Sequence, residues 1–401
     1  MTEAPDLSAA IDLTGWERLL VALVRTPSHP GITRQEERVA AVLAEWLAER
    51  GVEATLDPAA PGRPNVIASV DGRKPGRHLV LCGHTDTVPL NAGDPGAGFS
   101  AEIRDGALWG RGACDMKGGL AAMAAATAAL ASTRLLAAGE LTFAAIADEE
   151  MQSLGAERLV DSGLQADGAI VGEPTGNRLA LGHRGLEWLE ISFHGRAAHG
   201  GTPSAGINAV SGAARFVRLL EDELLPALAV RAGGAIGPPT LNVGTIHGGD
   251  QPSTVAAECT VTIDRRTVLD ETFEQVLAEL ESLLDRVRAA TPGLTTSIRR
   301  VPGGMATLEH RATWLPPDHA LSRAAADARR EVLGASDEPT IFPAWTDAAL
   351  LSRFARIPSV VLGPGDLAVA HSPREHVSLD EVAAAARIYA HAAIAFCGGG
   401  A

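Results

Sequence analysis

The chain has 401 residues, of which 46% are hydrophobic and 4% aromatic, and its 49 acidic and 34 basic residues give a formal net charge of −15. A chain of this length exceeds the usual size of a single hydrophobic core, so two domains are expected. The acidic balance argues against nucleic acid or an anionic membrane surface as a partner, because both attract basic patches.

The N-terminal segment, MTEAPDLSAA, has acidic residues where an export signal would have a basic region, and it lacks an apolar core. The four cysteines show no C-x-x-C spacing, which is typical of a reducing compartment. We therefore expect a cytoplasmic protein. The longest apolar stretch, residues 119–131, is too short to span a bilayer and predicts a buried helix.

Four short apolar runs are typical of strands buried on both faces. In an open parallel sheet, ligand sites lie beyond the carboxyl ends of the strands. Each of these runs is followed by a potential metal ligand, and the four strand ends are therefore expected to converge on one site. The runs are residues 78–82, 141–147, 169–171 and 359–362, and the residues that follow them are His84 and Asp86, Glu149 and Glu150, Glu173, and His371.

Imidazole and carboxylate groups suit zinc, cobalt or manganese, and two such ions roughly 3.5–4 Å apart can activate water and polarise the bond to be cleaved. Two ions need a shared ligand, which a carboxylate supplies most easily. Asp115 is the predicted bridge, because it lies in a turn that four glycines flank and that lets backbone and metal approach closely. These glycines are Gly110, Gly112, Gly118 and Gly119.

The adjacent acids Glu149 and Glu150 are not expected to point the same way if one of them binds metal. The other is then placed to accept a proton from water. The residues alone do not say which acid does which. Each candidate also has a structural alternative: an acidic pair is common at an exposed helix start, Glu173 precedes a proline as in many turns, and His376 competes with His371.

The pattern changes after about residue 181. An alternating strand, a helix, two more strands, a helix and a last strand form the ferredoxin-like order. We predict an inserted domain over residues 182–303, and a catalytic domain formed by residues 1–181 and 304–401. The elements are expected at residues 186–194, 206–220, 240–246, 257–263, 271–289 and 294–301.

The segments GHTDTVP, GRGACDMKGG, ADEE, VGEP, HGRAAHGGTP, GINAV, IDRR and GPGDLAVAHSPREHV resemble, in order, those of the dinuclear-zinc amidohydrolases that include acetylornithine deacetylase, succinyl-diaminopimelate desuccinylase, aminoacylases and carboxypeptidase G. The resemblance runs from about residue 16 to about residue 390. It implies an α/β catalytic domain whose mainly parallel sheet is flanked by helices and carries a dinuclear metal site at the strand ends. It also implies that the insertion is a ferredoxin-like α+β domain that acts as a lid and dimerises.

The same resemblance implies a role for each candidate. Glu149 would be the general base, and Asp86 would orient the imidazole of His84 without binding metal. Two ligand sets would each hold one ion, with Asp115 in both. The sets are His84, Asp115 and Glu173, and Asp115, Glu150 and His371.

In the insertion, the resemblance implies that His199 donates to the oxyanion of the tetrahedral intermediate and that Arg266 binds the substrate carboxylate. Arg265 is the alternative for that carboxylate. The resemblance also implies a homodimer; in related enzymes the histidine acts across the interface, and for His199 action within or across subunits stays open. The local alternatives are a turn residue for His199 and a solvent-exposed strand end for Arg266.

Two further candidate substrate contacts are Ser253 and Gly363. Ser253 departs from the family, in which asparagine is common at this place, and Ala256 stands where proline is common. Gly363 lies in the GPG segment that precedes His371. A phosphate loop there is excluded, because neither GxGxxG nor a Walker lysine is present.

The sequence therefore predicts a hydrolase with two Zn²⁺ ions per chain, or Co²⁺ or Mn²⁺ in their place, that cleaves the amide bond of a small, carboxylate-bearing N-acyl amino acid. A carboxypeptidase or dipeptidase would use the same machinery. A non-catalytic metal-binding relative is the alternative of a different class, but it would have no need of Glu149 beside intact ligands.

Overall fold

A computed structural model describes residues 6–91, 98–334 and 338–399. The chain divides into two compact units, and the second consists of Arg184–Met305 and His310–Ala312. The predicted insertion, 182–303, does not include the short segment His310–Ala312. This segment belongs to the second unit because the backbone N–H of Leu186 donates to the carbonyl of His310 at 2.8 Å.

The helices and strands follow one another along most of the chain. The helices are α1 (Leu7–Asp12), α2 (Trp16–Val24), α3 (Glu37–Ala48), α4 (Gly118–Thr133), α5 (Leu154–Asp161), α6 (Ala209–Leu219), α7 (Leu225–Ala229), α8 (Phe273–Ala290), α9 (Ala320–Leu333), α10 (Ala348–Arg353) and α11 (Leu379–Gly398). The strands are β1 (Ala54–Ala60), β2 (Arg63–Asp71), β3 (His78–His84), β4 (Glu102–Arg104), β5 (Ala107–Trp109), β6 (Glu140–Ile146), β7 (Gly168–Val171), β8 (Ala180–His183), β9 (Glu187–His194), β10 (Thr240–Gly248), β11 (Glu258–Arg266), β12 (Thr295–Arg300), β13 (Thr313–Trp314), β14 (Thr340–Phe342), β15 (Ser359–Val361) and β16 (His376–Ser378).

The first unit is built on a nine-stranded sheet of order β1-β2-β6-β3-β7-β15-β8-β13, with β14 paired to β8. Its centre is parallel, because β3 pairs in parallel with β6 and β7, and β15 pairs in parallel with β7. The carboxyl ends of β3, β6, β7 and β15 therefore lie at one edge of the sheet. This confirms the predicted mixed α/β fold with a mainly parallel central sheet flanked by helices.

The predicted buried helix is α4, in which every residue from Gly118 to Leu130 is buried. Its alanine-rich surface allows it to pack against α2 and α11. Strand β3 runs two residues further than the apolar run indicates, because Gly83 and His84 still pair with Ala145 and Ile146 of β6. His84 is thus the last residue of a strand and does not follow it. None of the described helices is long and apolar enough to cross a membrane.

The second unit has a four-stranded antiparallel sheet of order β10-β11-β9-β12, covered by helices α6 and α8. Along the chain its elements follow the ferredoxin-like order. Strand β11 continues three residues past the predicted Ile263, because Arg265 and Arg266 pair with Leu241 and Thr240 of β10. Helix α8 begins two residues later than predicted, since Thr272 and Gln275 form a capping box.

Candidate metal centre

The carboxylate of Asp115 contacts two histidines through separate oxygens. Its Oδ1 lies 3.0 Å from Nε2 of His84, and its Oδ2 lies 3.2 Å from Nε2 of His371. One oxygen toward each histidine is the arrangement that a carboxylate shared by two cations needs. Asp115 therefore lies between the two histidines, and its role as the bridging ligand stays a prediction.

The five predicted ligands form two groups whose ligand atoms all lie within 4.8 Å of one another: His84, Asp115 and Glu173, and Asp115, Glu150 and His371. Nε2 of His371 is 3.0 Å from Oε1 of Glu150, and Nε2 of His84 is 3.8 Å from Oε1 of Glu173. That oxygen of Glu173 is buried and has no hydrogen-bond partner in the described part of the chain. A buried acceptor in this state fits a metal ligand.

Charge is concentrated at this centre. The hydrogen bonds that His371 donates to the carboxylates of Asp115 and Glu150 raise its pKa to about 10. Burial lowers the pKa of His84, but the Asp115 and Asp86 carboxylates outweigh it and hold that pKa well above its usual range. Burial and the Glu173 carboxylate raise the pKa of Glu149 well above normal. So many carboxylates in a desolvated space favour the binding of cations.

Asp86 supports the centre in two ways. Its backbone carbonyl accepts from Nδ1 of His84 at 3.0 Å, which directs Nε2 toward Asp115. Its carboxylate is 3.6 Å from that nitrogen and instead accepts from the backbone N–H groups of Glu149 and Glu150, both at 3.1 Å. The predicted orientation of His84 by Asp86 thus comes mainly from the main chain, while the side chain holds the acidic turn.

The Asp115 loop is held by residues that the sequence reasoning missed. Oε1 of Glu375 accepts from the backbone N–H groups of Cys114 and Asp115, both at 3.2 Å. Arg111 forms a buried ion pair with the same carboxylate. The only signal was position, since Arg111 lies in GRG and Glu375 comes four residues after His371.

Glycine is required where α4 begins. A Cβ at Gly119 would lie 2.3 Å from the carbonyl oxygen of Gly172, so a side chain would force apart the loops that carry Asp115 and Glu173. A third residue near the centre that the sequence did not indicate is Asp347, which is buried and whose pKa burial raises to about 7. It directly precedes α10 and therefore resembles an ordinary helix start in the sequence.

In the second unit, His199 is exposed, and its Nδ1 accepts from the backbone N–H of Gly201 at 3.0 Å. In the neutral form, the ring therefore carries its proton on Nε2. Ser253 lies in a neighbouring segment between β10 and β11, and its backbone carbonyl accepts a hydrogen bond from the N–H of Gly200 at 2.7 Å. Ser253 and His199 are thus joined through the main chain.

The two arginines of IDRR differ in their partners. Arg265 is fully buried and pairs with Glu271 at 2.7 Å, so it serves the interior of the second unit. Arg266 is partly exposed, and its Nε and Nη2 donate to the two carboxylate oxygens of Asp264 at 2.7 and 2.9 Å. Of the two candidates for a substrate carboxylate, only Arg266 is near solvent.

Two candidates in the first unit have structural roles. The N–H of Gly363 donates to Oγ1 of Thr175 at 3.1 Å, and its carbonyl accepts from the N–H of Asn177 at 2.7 Å, so Gly363 joins the loops after β7 and β15. Its contact with substrate stays a prediction. His376 stacks on Trp109 with ring centroids 4.2 Å apart and is not part of either ligand group.

Comparisons with known proteins show the family to which the chain belongs. Residues 80–395 match the model of peptidase family M20/M25/M40. The chain is 33% identical over 390 residues to an acetylornithine deacetylase of Myxococcus xanthus, covering 95% of this chain and 96% of the relative. It is 31% identical over 407 residues to the acetylornithine deacetylase of Photorhabdus laumondii, covering 96% and 98%.

Among solved structures, an M20 family metallo-carboxypeptidase from Sulfolobus solfataricus superposes with a TM-score of 0.77 at 19% identity, over 95% of this chain and 99% of that one. At this identity the likeness shows a shared fold. The family match covers more than half of the chain, and the two deacetylases match nearly all of it. The chain therefore belongs to peptidase family M20/M25/M40 and is a metal-dependent hydrolase of amide bonds.

Proposed function

We propose that this protein is a dizinc deacylase that removes the acyl group, and most readily an acetyl group, from an N-acylated amino acid. The observation that carries the proposal is the position of Asp115, whose two oxygens each face one histidine-containing ligand group. Two relatives at 33% and 31% identity, both acetylornithine deacetylases, support an acetylated amino acid as the substrate.

Five residues would hold the two ions: His84, Asp115, Glu150, Glu173 and His371. A pair of bound divalent ions lowers the pKa of water and polarises the amide carbonyl. Glu149 is the acid beside this pair that neither ligand group uses. We assign Glu149 the transfer of the proton: it takes a proton from the attacking water and gives that proton to the departing amine.

In the second unit, we assign His199 the donation of a hydrogen bond to the oxyanion through Nε2, and Arg266 the binding of the substrate carboxylate. The tautomer set by Gly201 supports the first assignment, and the partial exposure of Arg266 supports the second. We also propose that the second unit, which the sequence predicts as an insertion over residues 182–303, acts as a lid and pairs two chains into a homodimer.

The four cysteines are buried free thiols, which fits the reducing cytoplasm that the sequence predicts. The proposed function is tested with the zinc-loaded and the cobalt-loaded protein on a matched panel: N-acetyl amino acids, N-succinyl amino acids and dipeptides. We expect the highest kcat/KM on an N-acetyl amino acid. Higher kcat/KM on dipeptides would assign the protein to the peptidases of the family, and no hydrolysis of any member would refute the deacylase.

A further inference from the structure

Behind the acidic turn lies a buried cluster of charge that the proposed reaction does not use. The carboxylates of Glu36, Asp86 and Asp148 have ligand atoms within 4.8 Å of one another, and all three side chains are buried. The guanidinium of Arg63 lies among them. Its Nε donates to Oε2 of Glu36 at 2.7 Å, and its Nη2 lies 2.6 Å from Oδ1 of Asp148.

Asp148 is the residue directly before Glu149 and Glu150. Its φ of 73° is in the left-handed region, which a non-glycine residue adopts only when its surroundings hold it there. Its carbonyl accepts from the backbone N–H of Ser153 at 2.6 Å, which closes the turn. The direction in which the chain leaves Asp148 decides where the next two acids stand.

Arg63 reaches this turn because of strand register. In the antiparallel pair of β2 and β6, Val66 lies opposite Ala145, so the residues of β2 before Val66 extend past the end of β6 toward the turn. Asn65 uses the same position: its Oδ1 accepts from the N–H of Ala147 at 3.1 Å and its Nδ2 donates to the carbonyl of Gly155 at 2.9 Å. At the start of β2, Asn65 thus holds both ends of the turn, and Arg63 contacts Asp148, the first acid of the turn.

We propose that Arg63 is a positioning residue for Glu149 and Glu150: its guanidinium binds Glu36 through Nε and Nη2 and contacts Asp148 through the same Nη2, and thereby fixes the turn. Asp86 holds the same two residues by their backbone N–H groups. Without the guanidinium, Asp148 loses its link to Glu36 and both buried carboxyl groups lose their charged partner, so the turn is held less firmly. This role rests on the proposed function of Glu149 as the proton carrier.

The test compares Arg63→Met and Arg63→Lys with Arg158→Met. Arg158 is a matched control, because it lies on α5 just after the same turn and pairs with Asp57 at 2.9 Å, but on the surface. We expect Arg63→Met to lower kcat about 10- to 100-fold, the usual range for a residue that supports a metal site from behind, with little change in KM. Arg63→Lys keeps the charge but not the fork, so a smaller loss is expected. Arg158→Met should behave as the wild type.

Hydrogen exchange of the peptide that contains residues 147–153 gives a readout that does not depend on activity. Exchange at Glu149 and Glu150 should be faster in Arg63→Met than in the wild type, and unchanged in Arg158→Met. If Arg63→Met does not fold, kcat and hydrogen exchange are both measured on Arg63→Lys, and its results decide the test. Wild-type kcat together with unchanged exchange would overturn the inference, as would an equal loss in Arg158→Met. If the wild type hydrolyses nothing, the proposed function fails, but exchange still decides the positioning role.

Discussion

The carboxylate of Glu375 accepts a hydrogen bond from the backbone N–H of Asp115 at 3.2 Å, so an acid from the C-terminal part of the chain positions the residue between the two ligand groups. The same carboxylate pairs with Arg111, and both side chains are about 2% exposed. Removing one partner of a buried pair leaves the other charge uncompensated.

Glu375→Ala should therefore lower the free energy of unfolding by about 3–5 kcal/mol, the range for breaking a buried ion pair. Chemical denaturation of the metal-free protein measures this. Glu223→Ala is the control, because Glu223 pairs with Arg286 on the surface, and a much smaller loss or none is expected there. Similar losses in the two variants would show that the Glu375 pair contributes no more than a surface pair.

The adjacent acids should give separate phenotypes. Glu149→Gln should keep both metal ions and lower kcat by about 10²- to 10⁴-fold, the contribution of a general base. Glu150→Gln should lower metal occupancy, because Glu150 stands 3.0 Å from His371 in one ligand group. Metal analysis after gel filtration, combined with steady-state kinetics, measures both effects. Reversed phenotypes would exchange the two assignments.

Metal binding should depend on pH. The pKa of His371 is raised to about 10 in the metal-free protein, so its ring is protonated at neutral pH and must lose that proton to bind a cation. Lowering the pH below about 10 should therefore weaken binding, about tenfold per pH unit for each proton released. Calorimetry in buffers of different ionisation enthalpy measures the protons directly. A metal affinity that does not change between pH 6 and 8 would contradict this proton count.

Chelation should abolish activity, and zinc or cobalt should restore it.

His199→Ala should keep the metals but lower kcat. The expected loss of transition-state stabilisation is about 2.7–4 kcal/mol, the scale for one oxyanion donor. His247→Ala, an exposed histidine on β10 of the same unit, is the matched control and should have no effect. Mixing inactive His199→Ala and Glu149→Gln chains tests the dimer. Recovered activity would show that the histidine acts across subunits, whereas none after proven subunit exchange would place both residues in one chain.

Arg266→Ala should remove most of the preference for a free carboxylate on the substrate, a difference of about 2–5 kcal/mol against the carboxamide. Arg266→Lys should recover only part of it, since lysine cannot bind both oxygens of a carboxylate in a fork. Comparing kcat/KM for an N-acetyl amino acid and its carboxamide measures the preference. An equal kcat/KM for the two in the wild type would exclude a carboxylate clamp.

Local patterns determined a large part of this protein. A run such as residues 78–82 is apolar because the strand is buried on both faces, and that signal is contained in the run itself. A candidate ligand such as Glu173 or His371 could be predicted because it follows such a strand in an ordered series of motifs. The order of elements in the second unit was equally visible, since period and turn residues are local properties.

Only the tertiary structure decided which residues hold the ligands in place. Arg63 meets Asp148 across 85 positions, and Arg111 meets Glu375 across 264, so neither pair leaves a periodicity or spacing in the sequence. The distinction between Arg265 and Arg266 also depends on the fold, because alternate residues of β11 point to opposite faces of the sheet, one into the interior and one toward solvent. Burial and partners are properties of the packed chain, and long-range contacts alone create them.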